Sequence, residues 1–346
     1  MAASRRDRGG EIDNVPSPRV GSLSRVIAAL LGLVTLLWLM WVLPWPRAPL
    51  TGRSGPALAS AVVWGYQLQR FDHRTIPPEV DMLVVDYSRD GSEGRELTST
   101  AVEELRRRPG KSRIVLAYLS VGEAESYRFY WRNLWSVLPP TWLGPENSAW
   151  KGNYPVRFWE PEWQNILLQP RMSVLQRVLE MTTTWRKAYV DRILEAGFDG
   201  IYLDRIDSFD DWKSERPDAK RDMVALVMAL SRYAKQRRPG FLVVPQNGEE
   251  LLSHSAFLAA IDGVAKEGLM FGVDGPEQRN ASAQFLRSLQ LLNRAKARGM
   301  PVFVVEYLAD AAKRAEASAR MLEVGFRLTF ATRELNQPPE GRGSNQ

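Results

Sequence analysis

The sequence predicts an α/β protein built as a (β/α)8 barrel of the TIM-barrel kind, preceded by one N-terminal transmembrane helix. Three observations carry the barrel. After residue 60, eight short apolar runs recur at 62–69, 82–88, 114–122, 200–207, 241–248, 261–268, 302–308 and 326–332. Helically spaced apolar segments separate most of them, at 98–108, 175–196, 219–237, 281–297 and 309–324. Strands that are apolar on both faces and alternate with helices belong to parallel sheets covered on both sides, not to sandwiches. The third observation is negative. A doubly wound open sheet would place a Gly-rich phosphate turn after its first strand, and this chain reads WGYQLQRFD there.

Residues 1–25 form a basic segment with five arginines, expected in the cytoplasm, and residues 26–43, VIAALLGLVTLLWLMWVL, form an apolar run of eighteen closed by Pro44. A helix of ~17 to 25 such residues spans a hydrocarbon core. Arginines on the near side and Trp38, Trp41 and Trp45 at the far end orient it as a single-pass signal anchor, with all that follows on the exported side of the cell membrane. The competing reading is secretion after cleavage near Ala57-Leu58-Ala59. Those alanines lie well past the run, which is longer than the ~7 to 15 residues of a signal h-region. Residues 44–60, rich in Pro, Gly, Ser and Ala, form a linker to the barrel domain at 61–332. Residues 333–346, RELNQPPEGRGSNQ, are too polar and Pro-rich for a closing helix and read as a disordered tail. The outer ring is then incomplete, or closed by a short N-terminal piece.

At 346 residues, 45% hydrophobic and 25% charged, the chain can bury a large core. Of its net charge of +6, the first sixty residues hold +4 (seven arginines against three acids), which leaves +2 for the rest. A nucleic-acid partner is therefore not expected. The absence of cysteine excludes disulfides, thiol nucleophiles and cysteine-ligated metals, and His73 and His254 are the only histidines. No metal and no cofactor is expected.

The stretch FDGIYLDRID, at 198–207, reads as a buried strand that releases Asp204 and Asp207 at its end. An isolated strand-end aspartate would be read as a helix cap or a partner for Arg205. Other strands, however, end in Asp86, Glu123, Asn247, Glu267, and Glu306 with Tyr307. Five strands delivering acids to one rim is costly unless the acids are used. A hard cation could take Asp86, Asp204 and Glu306, but no compact calcium loop accompanies them. Glycosidic cleavage needs two carboxyl groups of different pKa, one to protonate the leaving oxygen and one ionised. Six of the twelve tryptophans fall in the insertion at 126–164, and rings of this kind stack on sugars. Trp150, Tyr154 and Trp159, in WKGNYPVRFWEPEW, are the expected substrate contacts among them.

The segments VVWGYQLQ, LVVDYS, VLAYLSVGEAESYR, NYPVRFWEPEW, GFDGIYLDRIDSF, VVPQNGEELL, DGVAKEGL and VFVVEYL together resemble glycoside hydrolase family 114, the endo-α-1,4-polygalactosaminidase-like barrels. The resemblance implies a hydrolase of α-1,4-linked galactosamine polymers whose acid pair matches Asp204 and Glu267. Asp86, Tyr118, Glu123, Asn247, Glu306 and Tyr307 would then hold substrate or set pKa values, and Tyr202 and Asp207, beside Asp204 in the sequence, are expected to contact substrate as well. The residues alone leave Glu267 and Glu306 open as the second acid; the resemblance favours Glu267. The expected mechanism is retaining, with Asp204 as nucleophile and Glu267 as acid/base. Asp204, flanked by Tyr202, Arg205 and Asp207, is expected to ionise readily. Competing readings are a non-catalytic sugar-binding barrel and a hydrolase of another aminosugar or cell-surface glycan.

Overall fold

The computed structural model describes residues 58–168 and 187–341. Its centre is eight parallel strands: β1 (Trp64–Tyr66), β2 (Met82–Asp86), β3 (Ile114–Ser120), β4 (Gly200–Asp204), β5 (Leu242–Pro245), β6 (Val264–Glu267), β7 (Val302–Glu306) and β8 (Arg327–Phe330). Each lies inside one of the eight apolar runs. Parallel ladders join β1 to β5 in chain order, and β6 to β8 likewise. A single parallel bridge, Gln246 to Ala265, connects β5 with β6. Between β8 and β1 the link runs through a side chain, with Trp64 Nε1 donating to Arg327 O at 2.9 Å.

Side-chain parity explains why these strands are apolar throughout. Successive residues of a strand point to opposite faces. In β2, Met82 and Val84 join the inner cluster with Trp64, Leu116, Tyr202, Phe303 and Val305. Leu83 and Val85 join the outer cluster with Val115, Ile201, Leu203, Val243 and Val304, against the helices. Both faces are dry, so neither can be polar.

Among the described residues the helices are α1 (Ser99–Arg106), α2 (Pro161–Leu167), α3 (Tyr189–Ala196), α4 (Ala219–Arg237), α5 (Ser255–Ala260), α6 (Ser282–Lys296) and α7 (Ala311–Val324). Five fall within the expected segments. Local chemistry sets their ends: Thr98 caps α1 by accepting from Ala101 N, Asp310 caps α7 by accepting from Lys313 N, and Gly325 closes α7 at φ 70°. The two unforeseen helices, α2 and α5, have six or seven residues each, too few for a periodic signal.

The tail beginning at residue 333 needs correction in its described part. Leu335 is buried, and its carbonyl accepts from Leu68 N at 2.9 Å and Gln69 N at 3.0 Å. Pro339 packs so close to Gly65 that a Cβ there would meet it at 2.4 Å. Among the described residues no helix follows β8; this strap covers the β1 side instead. The basic segment 1–25, the apolar run 26–43 and the linker as far as residue 57 lie outside the described residues. Among those described, no helix is long and apolar enough to cross a membrane.

Candidate active site

The C-terminal strand ends surround a cavity of about 820 Å³. Asp86, Tyr118, Glu123, Asp204, Asp207, Asn247, Glu267 and Tyr307 line it, together with Trp150 of the insertion. Parity places most of them. Asp86, Tyr118, Asp204 and Glu267 each fall on the inward alternation of their strands.

Asp204 is held at three points. Its Oδ2 accepts from the Tyr118 hydroxyl at 2.8 Å, and its Oδ1 accepts from Arg205 N at 2.8 Å and Gln246 Nε2 at 2.9 Å. Glu267 accepts from Asn247 Nδ2 at 3.0 Å and from the Tyr307 hydroxyl. Two consecutive residues at the end of β5, Gln246 and Asn247, thus brace one carboxyl each. Consecutive side chains of a regular strand would point apart. Asn247 escapes that alternation with φ 62°, a left-handed conformation that asparagine tolerates better than most residues.

Electrostatics couple the pair. Burial, followed by the charge of Glu267, pushes the Asp204 carboxyl up from 3.8 to about 6. This reverses the expectation that Asp204 ionises readily: Arg205 and the Tyr118 hydrogen bond pull it back only partly. Asp207 is also pushed up to about 6 by burial, against the pull of Arg205. Burial raises Asp86 as well, although its Oδ1 accepts from Arg128 Nη1 at 2.8 Å and Ser88 N at 2.8 Å. Among the described residues, no group of three or more His, Cys, Asp or Glu side chains is arranged to hold a metal ion.

The profile of glycoside-hydrolase family GH114 matches residues 48–343. The chain belongs to that family. Three relatives accompany the match: proteins of Methanocaldococcus jannaschii and Thermotoga maritima, each 35% identical over 75% of the GH114 chain and covering 70% and 75% of their own lengths, and one of Deinococcus radiodurans, 32% identical over 82% of the chain and 86% of its own. Among solved structures, the glycoside hydrolase domain of PelA from Pseudomonas aeruginosa superposes with a TM-score of 0.57 at 19% identity. The match covers 82% of the GH114 chain and 98% of that domain, and at such identity it speaks for the fold alone. Family membership places the chain among glycoside hydrolases.

Four expected site residues of the GH114 chain lie elsewhere. Glu306 is fully buried and does not line the cavity. Val302 and Val304 belong to the outer cluster, so Glu306 follows them onto the outward alternation, and Glu267 is the acid left facing the cavity. Tyr202 is fully buried beneath the floor, where its hydroxyl donates to Gln246 Oε1 and fixes the amide that braces Asp204. Tyr154 stacks on Trp131 with ring centroids 4.8 Å apart, and Trp159 packs edge-on against Trp212 at 5.7 Å, both outside the cavity lining. Of the three aromatic contacts expected, Trp150 alone faces the cavity, 48% exposed.

Other cavity residues were not foreseen. Arg128 is buried between Asp86 and Glu125, which lies 2.6 Å away, and Arg205 sits 3.3 Å from Glu123. Asn147 Nδ2 donates to Glu123 Oε1 at 2.9 Å. These partners are 24 to 82 residues apart in pairs such as Asn147 with Glu123 and Arg205 with Glu123, and no local pattern announces them. Gln246 was legible in principle, because it continues the inward parity of Val244.

Proposed function

We propose that the chain hydrolyses α-1,4-linked galactosamine-containing polysaccharide with retention, using Asp204 as nucleophile and Glu267 as acid/base. The observation that carries this reading is the brace at Gln246 and Asn247, which holds two electrostatically coupled carboxyls at one cavity. The galactosamine specificity rests on the resemblance to the polygalactosaminidase-like barrels. Cleavage with retention needs one protonated and one ionised carboxyl at the same cavity, and the charge of Glu267 reaches Asp204 there.

In the first step the Glu267 carboxyl gives its proton to the glycosidic oxygen. The bond from that oxygen to the anomeric carbon breaks, and an Asp204 oxygen bonds to that carbon from the opposite face. In the second, the Glu267 carboxylate takes a proton from water, whose oxygen displaces Asp204 and restores both groups. The hydroxyls of Tyr118 and Tyr307 hold the two carboxyls in place, and Trp150 offers a ring face for a sugar. Asp204→Asn and Glu267→Gln should each abolish the release of reducing ends from partially de-N-acetylated α-1,4-galactosamine polymer. Wild-type turnover in either variant removes that residue from the mechanism, and a product of inverted anomeric configuration by NMR removes the covalent step.

The apolar run at 26–43 supports a tethered enzyme with its barrel on the exported side of the membrane. Full-length protein should sediment with membranes and resist carbonate extraction. Release into the soluble fraction with a new N-terminus beyond residue 57 establishes cleavage and secretion instead.

A further inference from the structure

Glu306 is a fully buried carboxyl that the proposed chemistry leaves unused, and its surroundings give it a task. The turn after Glu267 is gripped on both sides. On its N–H side, Met270 N donates to Glu306 Oε1 at 2.7 Å, and the neighbouring amides of Phe271 and Leu269 also stabilise the carboxylate. On its carbonyl side, Asn280 Nδ2 donates to Gly268 O at 2.7 Å and Leu269 O at 3.0 Å. Gly268 makes the bend at φ 54°, where a Cβ would come within 2.7 Å of Phe271 O, and its own N–H donates to Val305 O at 2.9 Å. The turn is therefore tight, and glycine is required at its start. It begins at Glu267, and Gly268, Phe271, Gly272 and Val273 go on to line the cavity.

Stability alone does not account for a carboxylate at this place. Glu306 Oε2 is buried and has no hydrogen-bond partner among the described residues, and burial pushes the group up to about 7. An amide at this position would keep an acceptor for Met270 N without burying a charge. What the carboxylate adds is a charge-assisted grip on consecutive backbone amides, with no NH2 group to set against them.

We propose that Glu306 is a positioning residue that holds Glu267 in its reactive place through the Gly268–Phe271 turn. The inference rests on the reading of Glu267 as acid/base. Its effect should appear only where that acid is needed. Bond breaking with a poor leaving group requires protonation of the leaving oxygen, whereas nitrophenolate departs without it.

The test compares kcat/KM on phenyl and nitrophenyl glycosides of an α-galactosamine oligosaccharide for Glu306→Gln, Asn280→Ala and the benchmark Glu267→Gln. Displacing the acid by a fraction of an ångström should cut the phenyl glycoside rate about tenfold to a hundredfold in Glu306→Gln and Asn280→Ala. The nitrophenyl rate should stay within about threefold. Amide exchange at Met270 should quicken in Glu306→Gln. Equal losses on the two substrates, or no loss on either, would overturn the clamp while a discriminating Glu267→Gln keeps the acid assignment. A Glu267→Gln variant that does not discriminate overturns the acid assignment, and the inference with it. Asn280→Ala reaches the same turn from its other side, so a folding failure of one variant leaves the other to decide.

Discussion

Replacing Asp204 with asparagine should make the protein more stable as it makes it inactive. Its carboxyl, ordinarily at 3.8, is pushed up to about 6, first by burial and then by Glu267. The folded group therefore holds its proton more tightly than the unfolded chain does. Its contribution to stability is fully present below the unfolded value and is lost as pH rises through about 6. About two pH units at about 1.36 kcal/mol each give about 3 kcal/mol lost above neutrality. Asparagine keeps the volume and can accept on Oδ1 from Arg205 N and Gln246 Nε2, while its amide turns to the Tyr118 hydroxyl oxygen. The amide reproduces the protonated carboxyl's hydrogen bonds only in part, which trims the gain to about 2 kcal/mol near pH 8, or roughly 3 °C in Tm for a chain of this length. By about pH 4 the gap should nearly close, because there the parent carboxyl is protonated in the fold. Calorimetry of parent and variant at these two pH values is the assay. A variant less stable than the parent near pH 8, or a gap that does not narrow toward pH 4, would refute the argument that buried charge at Asp204 strains the fold.

The same burial predicts a pH–rate profile whose acidic limb lies near 6 in kcat/KM, where the Asp204 carboxyl ionises; a limb near 4 would mean that Asp204 ionises as an ordinary aspartate. The aromatic insertion should divide by exposure. Trp150→Ala should raise KM about tenfold with Tm unchanged, because the ring is 48% exposed and faces the cavity. Trp163→Ala should cost about 3 to 5 kcal/mol by denaturant titration, because the ring is fully buried, donates to Val121 O at 2.9 Å and packs 5.3 Å from Trp142. Similar Tm losses in the two variants would contradict this sorting.

The contrast between those tryptophans shows what the sequence could and could not disclose. Eight apolar runs sufficed for eight strands because a barrel strand buried on both faces has no polar alternation to hide it. The proposed acid pair was half legible: both Asp204 and Glu267 end such runs, but so does Glu306. Counting alternation from Val302 and Val304 turns Glu306 outward and leaves Glu267 as the one of the two facing the cavity, since one residue of register decides the face. Tyr154 and Trp159 lie outside the cavity lining because their packing on Trp131 and Trp212 depends on folding of the insertion, and composition alone does not separate a sugar platform from a core. Leu335 defeated the reading of the tail for a similar reason: one apolar side chain in a polar run finds its pocket only once β1 and β8 are neighbours.

The seam between β5 and β6 ties these findings together. Within β1–β5 and within β6–β8 adjacent strands share ladders of three or more paired residues, but between these two groups, at β5 and β6, a single bridge remains. Asn247 stands in for the missing ladder. Its N–H donates to Ala265 O at 2.9 Å, its Oδ1 accepts from Glu267 N at 3.1 Å, and its Nδ2 donates to the Glu267 carboxyl at 3.0 Å. One side chain thus continues the sheet and grips the acid by backbone and carboxyl together. The position makes two demands, a left-handed backbone and a side chain that both donates and accepts. Glycine meets the first and glutamine the second, while asparagine meets both. Aspartate would supply the acceptor but set a second negative charge against Glu267. At this seam the barrel gives up regular pairing where regular pairing would have turned Asn247 away from Glu267.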